Sequence, residues 1–447
     1  MNTVIHDLLL RHDSEWRFSS SVHETFTALY TIARHDKKLL EGEPLSKIVQ
    51  LLFTVESKPG GPYYSTFPDG SVRPKIFDSE TNESIARFLA LYDIELPNLT
   101  EFLGKTFIAK GSTPRKKRTL TPDEKNILQD IRLAIKKRVR NFPLELQKRA
   151  IAVIERTITG NPDKQMSLMA YYTVQALGKK HTASVHTQIV EMGVANIFFW
   201  TAFIIYDDFW DEDEAADTRL LPIANLFARS YTEYFTSVLP EKTRFKAFFH
   251  ELMDNLDGAN AWETAHCRMR VQENVVTIPA TLPVYGDYVH KYRAASGHIL
   301  GTVALLCMEE YKIDSVEVKN CISYFEHYLI AMQLSDDMHD WEEDLVRGHI
   351  STAVVQLLKD FNKKNKKKEV HLENDIDELR QTFWYTTLPT LAKKALFHTE
   401  ESRTALYSMK SIKNFAPLEQ FILYPERAAK EALDSQKQSV EFLKNFI

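Results

Sequence analysis

The sequence contains few of the residues that interrupt helices, with 14 glycines and 17 prolines among 447 residues. Its hydrophobic and charged fractions, 44% and 26%, are those of a globular protein and exclude the highly charged, weakly hydrophobic composition of disordered chains. Leucine, alanine, lysine and glutamate recur throughout the chain, and these residues favour helix. We therefore predict an all-α fold.

Cysteine, excess basic charge and long apolar runs are also scarce. Cys267, Cys307 and Cys321 show no paired metal-ligand spacing, and an odd number of cysteines fits no closed disulfide framework. The formal net charge of -5 gives no overall attraction for nucleic acid. No signal peptide is evident, and the longest apolar run, residues 194–206, is too short to span a bilayer. We expect a cytoplasmic protein with, at most, peripheral membrane contact.

A polar, basic segment separates two groups of predicted helices. Residues 112–120 include the basic run 115–118, which is typical of a solvated linker rather than a nucleic-acid-binding site. The next residues, Thr121, Pro122 and Glu124, have the pattern of a helix start with a capping box. The predicted organisation is an N-terminal helical region over residues 1–111, a linker over 112–120 and a larger domain over 121–447.

The N-terminal region is predicted to contain helices near residues 20–35, 45–55 and 81–92, with a glycine- and tyrosine-rich loop at 60–64. This rhythm resembles one or two repeats of the α-toroid of squalene-hopene cyclases and protein prenyltransferases. The Asp-x-Asp-Asp motif of class II cyclases is absent from the sequence. A helical cap that packs on the larger domain is the alternative interpretation.

Beyond the linker we predict about ten helices and no strand. The lysine-rich residues 363–368 are predicted to form a flexible, exposed loop, with contact to anionic lipid headgroups as the alternative. Residues 425–447 are predicted to form a single amphipathic helix.

An apolar run ends abruptly in carboxylates at residues 207–213, the first acidic segment. Asp207 and Asp211 are four positions apart, so on a helix they project from one face, with Asp208 beside them. Carboxylates gathered at the end of a buried helix repel one another unless a cation lies among them. Oxygen ligands of this kind suit Mg²⁺, which binds carboxylates, water and phosphate oxygens. An acidic surface helix is the alternative.

Residues 336–344 form a second acidic segment. Asp336, Asp340 and Asp344 occupy successive i, i+4 positions and would place three carboxylates along one stripe of a helix. Two such segments facing each other across a helical bundle would form a metal site at the mouth of an apolar cavity. The pair predicts this site more strongly than either segment does alone.

Both segments resemble motifs of the class I isoprenoid synthases, most closely the trans-prenyl diphosphate synthases. The residues that carry the resemblance are Asp207, Asp208 and Asp211 for the first aspartate-rich motif, and Gln333, Asp336, Asp337 and Asp340 for the second. Further similarities surround Lys164, Arg219, Arg293 and residues 344–352. The resemblance covers residues 125–355 and implies a helical bundle around a central apolar cavity.

In that family the aspartates bind three Mg²⁺ ions and the diphosphate of an allylic substrate, and basic side chains complete the site. The metal ligands that the resemblance implies are Asp207, Asp208, Asp211, Asp336, Asp337, Asp340 and Asp344. The implied diphosphate-binding residues are Lys164, Arg219, Arg293, Gln333 and Arg347. Candidate walls of the isoprenoid pocket are Phe198, Phe199, Trp200 and Phe203, with ordinary core packing as the alternative for each.

The departures from the family pattern bear on the reaction. Chain elongation needs a second diphosphate site for isopentenyl diphosphate, and Ser167, Trp200 and Thr218 stand where the family has basic or hydrogen-bonding residues. We therefore expect cyclisation or elimination of a long prenyl diphosphate. The alternative is trans-polyprenyl diphosphate synthesis, which the aspartate-rich second motif favours. Further alternatives are a non-catalytic partner subunit and a helical scaffold. Dimers are common in the family, which makes a homodimer a candidate assembly.

Overall fold

The computed structural model describes residues 5, 9, 22–53, 64–66, 72–74, 85, 87–89, 91–92, 119–161, 164–210, 216–237, 239, 244–286 and 288–444. Helix dominates these residues, and the few strands are two or three residues long. The predicted all-α class is confirmed.

In the N-terminal region, helices α1 (Val22–His35) and α2 (Glu43–Phe53) form where helices were predicted. The ring of Phe88 packs edge-on against Phe26, with centroids 5.7 Å apart. Two strands that were not predicted, β1 (Tyr64–Thr66) and β2 (Val72–Pro74), pair antiparallel. Residues 60–63 and 112–118 lie outside the described residues, so the α-toroid resemblance and the domain boundaries stay predictions.

The larger region is a bundle of helices. They are α3 (Pro122–Val139), α4 (Leu144–Gly160), α5 (Gln165–Ala176), α6 (Ala183–Trp210), α7 (Leu221–Ser237), α8 (Phe245–His266), α9 (Val289–Ala294), α10 (Leu300–Met308), α11 (Val316–Arg347), α12 (Thr352–Asn365), α13 (Leu372–Thr382), α14 (Leu388–Tyr407) and α15 (Ala416–Lys444). The predicted capping box opens α3: the Glu124 amide donates to Thr121 Oγ1 at 3.2 Å, and the Thr121 amide donates to the Glu124 carboxylate at 2.8 Å.

Helix α6 lies at the centre of the bundle and packs against α3, α4, α5 and α7. It is apolar on all sides, as expected of a helix surrounded by protein. By length and composition alone α6 could cross a membrane, whereas the sequence prediction considered only its apolar run. However, 72% of its most apolar stretch is buried inside the protein, and the core helix of a soluble protein has the same properties. These properties are therefore weak evidence for a membrane span.

Helix α11 is the longest in the described part of the chain, with 32 residues, and packs mainly against α14, with further contacts to α12 and α15. Beside it lies a small antiparallel sheet of β3 (Val271–Gln272), β4 (Val275–Thr277) and β5 (Glu369–His371). The prediction of no strand was wrong, because strands this short show no alternating hydrophobic pattern.

Two further boundaries differ from the predictions. Helix α12 continues to Asn365, and Lys363 and Lys367 form ion pairs with Asp360 and Asp375 at 2.9 and 2.6 Å, so this lysine-rich segment is not a free loop. The final helix begins at residue 416 rather than 425, because the proline predicted to start it lies inside the helix.

Candidate active site

The described part of the first acidic segment, residues 207–210, lies in the last turn of α6. Asp207 is exposed, Asp208 is half-buried, and Asp211 lies outside the described residues. An Arg156 guanidinium nitrogen, from α4, is 3.3 Å from the Asp208 carboxylate. A cation therefore already contacts one of the predicted metal ligands.

The second acidic segment lies in the C-terminal half of α11. Asp336 and Asp340 are exposed and Asp344 is half-buried, in agreement with the predicted stripe. Partial desolvation raises the pKa of Asp340, the carboxylates of Asp344 and Glu343 raise it further, and His339 opposes them. The stripe therefore carries excess negative charge that a cation would stabilise.

Asp337 lies on a different side of α11 from the stripe and is buried. Its carboxylate accepts hydrogen bonds from Lys291 Nζ at 3.1 Å and from the Thr352 amide at 2.9 Å. Burial of Lys291 disfavours its charge, but Asp337 and Glu263 outweigh that effect and raise the pKa of the ammonium group. Both oxygens of Asp337 are therefore engaged by the protein itself.

The charged network continues through His349. Its two ring nitrogens lie 2.9 Å from Glu263 and 3.3 Å from Asp344. Burial alone would lower the pKa of His349, but these two carboxylates raise it to about 9. Burial would likewise raise the pKa of Glu263, yet Lys291, His349 and Arg268 lower it to about 2. The network thus holds Asp344 through a protonated histidine.

The two acidic segments lie at the same end of the bundle, joined through the residues that follow α8. Arg268 donates to the Trp210 carbonyl at the end of α6 at 3.2 Å, and the Met269 amide donates to the Gly348 carbonyl at the end of α11 at 2.8 Å. Gly348 has φ 78°, and a Cβ there would lie 2.4 Å from the Met269 carbonyl oxygen. Only glycine allows both the helix end and this close approach.

An aromatic cavity of about 350 Å³ lies beside the first acidic segment. Its walls include Phe203, Tyr206 and Trp210 from α6, Tyr231 from α7, and Phe249 and Met253 from α8. Of the predicted pocket residues, the structure places Phe203 in the wall of this cavity.

The other predicted pocket residues pack around the cavity rather than in its wall. Phe199 is 1% exposed and contacts the Phe203 ring with centroids 4.5 Å apart. Phe198 is buried and stacks on Phe227. The Trp200 ring lies 4.3 Å from that of His298, and burial lowers the pKa of His298 to about 3. Trp200 therefore packs against a neutral ring.

Two of the basic residues implied by the resemblance bind neighbouring protein groups. Lys164 Nζ donates to the carbonyls of Ile158 and Asn161, at 2.6 and 2.7 Å, and so closes the end of α4. Arg219 is exposed and forms a bidentate pair with Asp217, 2.8 to 3.0 Å long. These contacts account for both side chains without a ligand.

The remaining implied residues differ in their environment. Arg347 is exposed and pairs with Glu343 along α11 at 2.8 Å. Arg293 is half-buried and forms no ion pair within the described residues. The Gln333 Oε1 atom is buried and has no hydrogen-bond partner there. Arg293 and Gln333 therefore retain more capacity for a ligand than Arg347 does.

Among the described residues, no group of three or more histidines, cysteines and carboxylates converges closely enough to hold a metal ion. The oxygen donors and the excess negative charge at Asp340 nevertheless fit Mg²⁺, which commonly completes its shell with water and substrate phosphate oxygens. Ligation by the seven aspartates stays a prediction.

Sequence reasoning missed the cations and their partners around both acidic segments. Lys291 lies two positions before Arg293, and His349 directly follows Gly348, so both were adjacent to residues already singled out. Arg156 and Glu263 gave no local signal, because each meets its partner only through contacts between helices that are distant in sequence.

Comparisons with known proteins bear on the fold. No protein-family model and no curated protein sequence matches the chain. The crystal structure of geranylgeranyl pyrophosphate synthase from Lactobacillus brevis ATCC 367 matches with a TM-score of 0.52 and 14% identity, over 68% of this chain and 97% of that one. The chain therefore has the all-α fold of that geranylgeranyl pyrophosphate synthase. A geranylgeranyl pyrophosphate synthetase from the archaeon Geoglobus acetivorans matches with a TM-score of 0.49 and 12% identity, over 68% and 98% of the two chains.

Proposed function

We propose that the protein is a Mg²⁺-dependent enzyme of the prenyltransferase type that ionises an allylic prenyl diphosphate. One observation carries the proposal: two acidic segments lie at the same end of a prenyl-synthase-like bundle, beside an aromatic cavity. That arrangement would bring the diphosphate to the carboxylates and the isoprenoid chain to the aromatic walls.

Ionisation of a C–O bond requires stabilisation of the negative charge that develops on the departing diphosphate. Asp207, Asp336 and Asp340 are the exposed carboxylates that would hold Mg²⁺, which supplies Lewis-acid stabilisation of phosphate oxygens when bound. Arg293 adds a half-buried positive charge without an ion pair among the described residues. The network around Lys291 would position the second segment.

The carbocation that remains requires a site that excludes water. Phe203, Tyr206 and Trp210 present aromatic rings to the cavity beside Asp207. Aromatic faces attract cations, and apolar walls keep out the water that would quench them. These side chains would therefore hold the isoprenoid chain near the site of ionisation.

Chain elongation with isopentenyl diphosphate is the reaction closer to the Lactobacillus brevis structure, since that protein is named as a geranylgeranyl pyrophosphate synthase. Cyclisation or elimination is the second candidate, and a specific observation favours it. Ser167 is fully buried, Trp200 packs against His298, and Lys164 donates to main-chain carbonyls. A second anionic substrate would find little free positive charge near these residues.

The test is to incubate the purified protein with Mg²⁺ and geranylgeranyl diphosphate, with and without isopentenyl diphosphate, and to measure inorganic diphosphate and organic products. We expect Asp207→Asn and Asp336→Asn each to slow diphosphate release by roughly 10² to 10³-fold. The matched control is Asp314→Asn, an exposed aspartate outside both segments, which should leave the rate unchanged. Full activity in both segment variants would contradict the proposed site.

The products separate the reactions. Longer prenyl diphosphates that appear only with isopentenyl diphosphate identify chain elongation. Hydrocarbon or alcohol products without it identify the single-substrate reaction. Absence of diphosphate release, together with no thermal stabilisation by Mg²⁺ and pyrophosphate, would favour a non-catalytic subunit or a scaffold.

A further inference from the structure

A second cavity, of about 710 Å³, is larger than the aromatic cavity and lies against α11. It is bounded by residues 283–286, 288 and 289 and by parts of α11, α12 and α14, and it shares no described lining residue with the aromatic cavity. Tyr285, Ile330 and Val355 form a buried apolar wall. Val284 and Phe397 continue this surface outward and are 73% and 58% exposed. The cavity therefore offers apolar contact from its interior to its opening.

Three lysines converge on this cavity from two helices: Lys359 on α12 and Lys393 and Lys394 on α14. All three are exposed, and none forms an ion pair with a carboxylate in the part of the chain that the structure describes. Lys394 Nζ instead lies 5.5 Å from the centre of the Tyr288 ring. Three like charges around one opening repel one another, and an anion bound among them would relieve that repulsion. Glu326 is the one carboxylate in the described lining.

Polar groups with unused hydrogen-bonding capacity lie deeper in the cavity. Thr352 is 6% exposed, and its Oγ1 has no hydrogen-bond partner in the described residues. The Nδ1 atoms of His327 and His398 are 2.8 Å apart, so one ring donates and the other accepts. The accepting neutral ring then carries its hydrogen on Nε2, which is a further donor. A buried hydroxyl such as that of Thr352 is unfavourable without a partner, and a ligand oxygen would satisfy it.

We propose that this cavity binds a phosphate-bearing apolar molecule, with the phosphate at the three lysines and the apolar chain along Tyr285, Ile330 and Phe397. A small hydrophilic anion would leave the apolar wall without a partner. An uncharged apolar ligand would leave the lysines unpaired. Only an anionic amphiphile matches both halves of the surface. The site does not depend on the proposed catalytic function.

Two sources supply this chemistry: a free prenyl phosphate and the headgroup region of an anionic phospholipid. The experiment is isothermal titration calorimetry of the full chain with farnesyl monophosphate, in EDTA to suppress metal-dependent binding at the acidic segments. Cosedimentation with phosphatidylcholine vesicles, with and without phosphatidylglycerol, forms the second arm. Binding of farnesyl monophosphate without binding to the vesicles identifies a free prenyl phosphate as the ligand. Binding to vesicles that depends on phosphatidylglycerol identifies the anionic phospholipid as the ligand.

The decisive variant is Lys359→Gln/Lys393→Gln/Lys394→Gln, which should weaken binding in the responding arm at least tenfold. Phe397→Ala should weaken the same binding several-fold. The three lysines and Phe397 are all exposed, so neither variant changes the core. The matched control, Lys125→Gln/Lys136→Gln/Lys137→Gln, removes the same charge from exposed positions on α3 and should bind as the wild type does. Equal weakening by both triple variants, no binding in either arm, or equal affinity for inorganic phosphate alone would overturn the proposal.

Discussion

The two acidic segments are positioned by different kinds of interaction. The described part of the first segment forms the last turn of α6. This helix is apolar on all sides and packs between four neighbouring helices. The second belongs to α11, and a network of buried charges that includes Lys291, Glu263 and His349 holds it in place. Hydrophobic burial sets the position of the first segment, whereas paired charges fix individual side chains in the second.

This difference has energetic consequences. Apolar packing is non-directional, so the aspartates at the end of α6 can be substituted without loss of the burial that holds the helix in place. A buried ion pair is directional, and removal of one partner leaves the other charged, buried and unpaired. We therefore expect substitutions in the second network to impair folding, and substitutions around the first segment to alter metal binding with little effect on stability.

The largest effect is expected from Lys291→Met, which leaves the Asp337 carboxylate buried without its ammonium partner. We expect a loss of about 3 to 5 kcal/mol in the free energy of unfolding, measured by urea denaturation. Lys291→Met/Asp337→Asn removes the unpaired charge and should recover at least half of that loss. If the single variant loses less than about 1 kcal/mol, the ion pair does not hold the second segment.

Gly348→Ala tests the connection between the two segments. The new Cβ would meet the Met269 carbonyl oxygen at 2.4 Å, and alanine must also adopt a positive φ. We expect a loss of about 3 kcal/mol, because left-handed backbone strain and overpacking each contribute roughly 1 to 3 kcal/mol.

The matched control is Gly258→Ala in α8, where a Cβ meets no atom within 4 Å. This substitution should stabilise the protein by about 0.5 to 1 kcal/mol, as alanine does inside helices. Equal effects of the two substitutions in thermal unfolding would contradict a requirement specific to Gly348.

His349 should make the second segment sensitive to alkaline pH. Its pKa is about 9 in the folded protein, above the ordinary histidine value near 6.5. Its contribution to stability is therefore complete below pH 6.5 and is lost as the pH rises through about 9. The difference in unfolding free energy between wild type and His349→Gln should shrink by about 3 kcal/mol from pH 6 to pH 10, because one unit of pKa corresponds to about 1.4 kcal/mol.

The control for this titration is His371→Gln, since the exposed His371 side chain has no ion pair among the described residues. Its difference from wild type should not vary between pH 6 and pH 10. A pH-independent difference for His349→Gln as well would rule out a charged histidine between Glu263 and Asp344.

Local sequence information predicted the features that depend on neighbours along one helix. The capping box at Thr121 and the stripe of Asp336, Asp340 and Asp344 follow from helical spacing alone. The environment of Asp337 did not follow, although the motif pairs it with Asp336. Consecutive residues on a helix point about 100° apart, so the two side chains face different surroundings.

Partners supplied by other helices could not be predicted. Lys291 comes from α9 and Glu263 from α8, and only the packing of these helices on α11 brings them to the acidic segment. The same holds for the larger cavity with its three lysines, since Lys359 and Lys394 belong to different helices and neither has a distinctive local pattern.

The smallest effect on stability is expected at the first segment, from Arg156→Gln. Arg156 is 54% exposed and lies 3.3 Å from Asp208, and ion pairs of this kind contribute about 1 kcal/mol or less. Its guanidinium nevertheless occupies a carboxylate oxygen that a metal ion would need. The Mg²⁺ concentration for half-maximal diphosphate release should therefore fall about two- to fivefold, because a tenfold change corresponds to about 1.4 kcal/mol. Arg132→Gln, which breaks the pair with Glu155, is the control and should leave the Mg²⁺ requirement unchanged. A higher Mg²⁺ requirement in Arg156→Gln would show instead that this arginine assists the bound substrate.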